Sequence, residues 1–134
     1  MDCKVIKVLD AGKLIYGWGS ICKVRDAIGN LVDYWDTDDE HYPEDVTELG
    51  WRDFMLNSRS MDVMHEEQTL GQVIYAFPMM TEQALAFGIL DALQCTGVMV
   101  GVRVDDPAIA AKFLSGEFTG FSIGGSANYQ DVTA

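Results

Sequence analysis

The chain predicts an α+β fold of mainly β character, a small closed or nearly closed β-barrel with helices packed outside. Two observations lead there. Short runs of alternating apolar and polar residues recur between turn residues, and only a few stretches carry helix-cap chemistry. These segments also follow one another without the strand–helix–strand regularity of a parallel sheet. At 134 residues, residues 1–134 are expected to form one domain, long enough for one core and too short for two.

Taken in order, residues 4–9 (KVIKVL) read as a strand, and Asp10-Ala11-Gly12-Lys13 turns it into a second strand at 14–18. Gly17 and Gly19 suggest a bulged or closely packed strand, which 20–25 continue before a turn at 26–30. The acidic, polar stretch 33–45 reads as a loop. A helix is expected to begin near Pro43, because proline suits the first helical position and Glu44 and Asp45 suit the positive end of the dipole. Its expected buried stripe is Val46, Leu49, Phe54 and Met55. After Asn57 and Ser58 a loop leads into Val63-Met64-His65, followed by a strand at 70–78.

Thr81 is the expected N-cap of a helix carrying Leu85, Ile89, Leu90 and Leu93, with irregularity around Gly88 as the alternative. Residues 97–104 form a strongly apolar strand. Asp106-Pro107 then caps and starts a short helix through Leu114, which Gly116 stops. The last strand spans 119–128.

Composition narrows the function. A hydrophobic share of 49% and a charged share of 22% are those of a globular protein. The net charge is −12, and the nine Lys and Arg residues are spread along the chain. Phosphate binding needs such residues clustered, so nucleic acid is not an expected partner. An acidic solvated surface explains the charge and still tolerates basic or neutral peptides. Cys3, Cys22 and Cys95 lack the short paired spacing of a zinc site and suggest no disulfide framework. Neither a signal-peptide pattern nor a membrane-length apolar run is present, so the expectation is cytoplasmic.

The chemistry concentrates in Gly116-Glu117-Phe118-Thr119-Gly120-Phe121-Ser122-Ile123-Gly124-Gly125, together with Met64-His65. A serine in an apolar strand followed by two glycines is a candidate nucleophile. It needs a base to take its proton, and His65 is the candidate. The glycines let a carbonyl approach the backbone and offer N–H donors to an oxyanion. Locally, a serine before two glycines is more often a turn or bulge, and His65 alone reads as a buried, hydrogen-bonded strand histidine.

Four blocks occur in order: Tyr16-Gly17-Trp18-Gly19-Ser20, then residues 51–59 (WRDFMLNSR), then Met64-His65-Glu66-Glu67, and last the 116–125 run. Over roughly residues 4 to 128 the chain resembles the phage prohead serine proteases, the XkdF-like branch, related to the herpesvirus assembly proteases. The resemblance implies the β-barrel of that superfamily and a histidine preceding the serine, positions matched by His65 and Ser122. It implies a serine endopeptidase that cleaves phage scaffold and major capsid protein during prohead maturation, inside the assembling prohead in the host cytoplasm. It further implies self-association, often as a homodimer, and no cofactor or metal. The wider group places a third triad member on a strand after the serine. Here Asp131 is the sole carboxylate side chain after Ser122, so the third member is Asp131, a residue beyond Ala134, or absent in a dyad. Glu66 adjoins His65, and adjacent strand residues face opposite sides.

The competing class is a catalytically degenerate phage structural or scaffold-associated domain of the same fold. A metal-dependent hydrolase using Asp33, Asp36, Asp38, Asp39 and Glu40 is a third. The EF-hand spacing fails there, with no glycine at the sixth loop position and no glutamate at the twelfth. His41 in that loop reads as a surface residue.

Overall fold

The computed structural model describes residues 2–57, 60–62 and 69–123. Along them run β1 (Asp2–Leu9), a 3-10 turn (Asp10–Gly12), β2 (Leu14–Arg25), β3 (Leu31–Asp33) and α1 (Glu44–Asn57). There follow β4 (Ser60–Asp62), β5 (Thr69–Met79), α2 (Thr81–Phe87), a second 3-10 turn (Leu90–Ala92), β6 (Cys95–Val104), α3 (Pro107–Ser115) and β7 (Gly120–Ile123). The strands pair antiparallel in the order β1-β7-β4-β5-β6-β2-β3, and β1 also pairs with β2. The fold is α+β with a mainly antiparallel sheet, as the alternation in the sequence predicts.

The core follows from β6. Val98, Val100, Val102 and Val104 are all buried, at the two-residue period of a strand whose one face is covered. Val102 is opposed by buried Ile15 of β2 and buried Val73 of β5. α1 lays Trp51 on this core, its indole N–H donating to Ser20 Oγ at 2.7 Å. α3 adds Phe113 and Ala110. Its ends are those the sequence marks. Asp106 Oδ1 accepts from the Ala108 N–H (2.8 Å), Pro107 opens the first turn, and Gly116 closes it in the left-handed region at φ 83°. Among the described residues no helix is long and apolar enough to cross a membrane.

Four expectations are corrected. In α1, Val46 and Leu49 are exposed; Thr47 and Trp51 are buried, with Phe54 and Met55 half-buried. The buried stripe is therefore 47, 51, 54 and 55, a proper helical face that the polar Thr47 conceals. Thr81 does not cap α2: Met80 holds that position, and the Thr81 hydroxyl donates instead to Glu44 Oε1 at 2.9 Å. α2 stops at Phe87, because Gly88 takes the left-handed conformation (φ 70°), so Ile89, Leu90 and Leu93 fall outside it and Leu85 is exposed. Two three-residue strands, β3 and β4, stand where turns and loops were expected at their borders, too short for a period to register. The last strand is described to Ile123, and 124–128 lie outside the described residues.

Candidate active site

Ser122 lies on β7, between β1 and β4. Its register partners are Asp2 on β1 and Asp62 on β4, and Asp62 in turn opposes Thr69 on β5. One row of directly opposed backbone positions therefore runs Asp2, Ser122, Asp62, Thr69 across four strands. His65 belongs to the segment between Asp62 and Thr69 and lies outside the described residues, as do Glu66, Glu67, Gly124, Gly125 and Asp131.

The approach to Ser122 is held by packing and hydrogen bonds. Phe121 is 2% exposed in the core. Phe118 meets Phe113 edge-on, with ring centroids 5.5 Å apart, and carries Lys112 Nζ 5.1 Å above its ring. The Phe118 N–H donates to the Lys112 carbonyl (3.1 Å), and the Val5 N–H to the Thr119 carbonyl (3.0 Å). The Gly116–Phe121 part of the motif thus links α3 to the core and leads β7 in beside β1.

Asp62 and Asp2 are the residues that sequence reasoning missed. Their relation to Ser122 is set by strand register between segments far apart in the chain, and nothing local signals it. Asp62 is three residues before His65, a spacing that gains meaning only once β4 is known to adjoin β7.

The other candidates resolve into structural roles. His41 is not a free surface residue. Its side chain is 14% exposed, Nδ1 is 2.9 Å from the Tyr34 carbonyl, Nε2 is 3.7 Å from Asp33 Oδ1, and the ring stacks at a tilt on Trp35. In the acidic loop, Asp36 Oδ1 accepts from the Asp38 and Glu40 N–H groups at 2.9 Å each, a turn-forming use of the carboxylate. Tyr42 donates to Glu40 Oε2 (3.0 Å). Among the described residues no three His, Cys, Asp or Glu side chains are grouped to hold a metal. Cys22 is fully buried, and its thiol is pushed up to about 11, chiefly by desolvation, with the Thr47 hydroxyl pulling the other way and the Glu44 charge adding to the rise. Burial also raises Cys95. Neither is a poised nucleophile. Gly17-Trp18-Gly19-Ser20 lies within β2 as strand, where Gly19 receives the Trp51 ring.

Comparison with protein-family models, with curated proteins and with solved structures finds no match.

Proposed function

We propose that the chain is a serine endopeptidase of phage prohead maturation, with Ser122 as nucleophile and His65 as base, cleaving scaffold and capsid-protein segments. The observation that carries this reading is the register row. Asp62, where β4 ends, opposes both Ser122 and Thr69, so the chain leaves the sheet for the segment bearing His65 beside the serine and re-enters it on β5, two strands from β7. Three peptide units join Asp62 to His65, which keeps their Cα atoms within about 11 Å. Peptide hydrolysis needs a base within hydrogen-bond reach of the serine hydroxyl, and this length of chain permits His65 to supply it.

In the reaction, Ser122 Oγ attacks the substrate carbonyl carbon while a His65 ring nitrogen takes its proton. The imidazolium returns that proton to the departing amine, leaving an acyl-enzyme ester that water hydrolyses with His65 again as base. An ionised carboxylate near the imidazole stabilises the cation. Asp62 is our candidate for that role, ahead of Asp131, because its backbone position adjoins Ser122. The pairing of β1 with both β7 and β2 supports a sheet curled on itself into the barrel that the resemblance implies.

Fluorophosphonate labelling read by intact mass tests the proposal. The wild-type chain is expected to gain one adduct, lost in Ser122→Ala and His65→Ala and slowed at least about 100-fold in Asp62→Asn. An unlabelled wild type, even when concentrated enough to self-associate, supports the degenerate structural domain instead.

A further inference from the structure

We draw no further inference here: the strongest candidate, the open aromatic face that Tyr16, Tyr75 and Phe77 form across β2, β6 and β5, carries nothing because nothing in the structure shows what covers it.

Discussion

At Gly19 the missing side chain decides where α1 sits. A Cβ there would collide with the Trp51 ring, falling 2.6 Å from Cη2, and would lie 2.8 Å from Val100 Cγ1. The ring has no room to retreat, since its N–H is committed to Ser20 Oγ. Gly19→Ala is therefore expected to destabilise by about 1–3 kcal/mol, the usual range for overpacking. Gly50, on α1 itself, has nothing within 4 Å of its would-be Cβ. Gly50→Ala should stabilise by about 0.5–1 kcal/mol through helix propensity alone. Urea unfolding of the two variants reads opposite signs from the same substitution on neighbouring elements. Cys22 gives a second residue-level prediction. Its folded thiol titrates near 11 against an ordinary 9.0, so the fold favours the neutral form. Its contribution is fully present below pH 9 and is lost as the pH rises through 11, about 2–3 kcal/mol in all. The difference in unfolding free energy between wild type and Cys22→Ala should shrink by that amount across this window. A difference that stays flat would show the thiol is not held neutral by burial.

Among the elements, α2 depends on a neighbour for its start. It has no capping side chain of its own, and the Glu44 carboxylate on the first turn of α1 accepts from the Thr81 N–H (2.7 Å) and hydroxyl (2.9 Å). Glu44→Ala should cost about 1–2 kcal/mol, the scale of a lost N-cap. Glu48, one turn along the same helix, pairs with exposed Arg52 at 2.8 Å, and Glu48→Ala should cost no more than about 0.5 kcal/mol. Thermal melts distinguish the two; similar losses would mean that Glu44 acts only as surface charge. The contrast with α3 explains what was legible in the sequence. Every signal that ends α3 is local, from Asp106 and Pro107 at one end to Gly116 at the other, and its limits could be read directly. The start of α2 is set by a residue 37 positions away in sequence, so Thr81 looks like a cap and is not one. The stripe of α1 was hidden for a related reason: Gly19 leaves the room beside Val100 that Trp51 fills, and Thr47 is buried beside the Cys22 thiol, while the more hydrophobic Val46 and Leu49 stay exposed.

For the whole molecule, the proposed catalytic pair depends on one long-range pairing, β4 with β7. The serine motif was legible because its glycines and aromatics are contiguous, whereas its surroundings were not, because register between distant strands leaves no trace in either strand alone. Met61 opposes Ile123 in that pairing. Directly opposed antiparallel residues hold their Cα atoms about 4.5–5.5 Å apart, within the span of a disulfide. A chain carrying Met61→Cys and Ile123→Cys should therefore oxidise to an intramolecular bridge. Cys3 opposes Phe121 on the adjacent strand and is replaced by serine to prevent a competing bridge. An offset pair, Met61→Cys with Thr119→Cys, should stay reduced under the same mild oxidant. Intact mass after alkylation reads the outcome, since a bridge removes two hydrogens and blocks two alkylation sites. If the opposed pair stays reduced, or both pairs oxidise alike, β4 is not locked against β7. His65 then has no structural reason to reach Ser122, and the endopeptidase proposal loses its main support even if the fold is otherwise intact. If only the opposed pair closes, the bridge also pins the Asp62 end of the histidine segment. Fluorophosphonate labelling of the bridged protein should then match that of the reduced one, because Asp62, from which the histidine segment departs, already opposes Ser122.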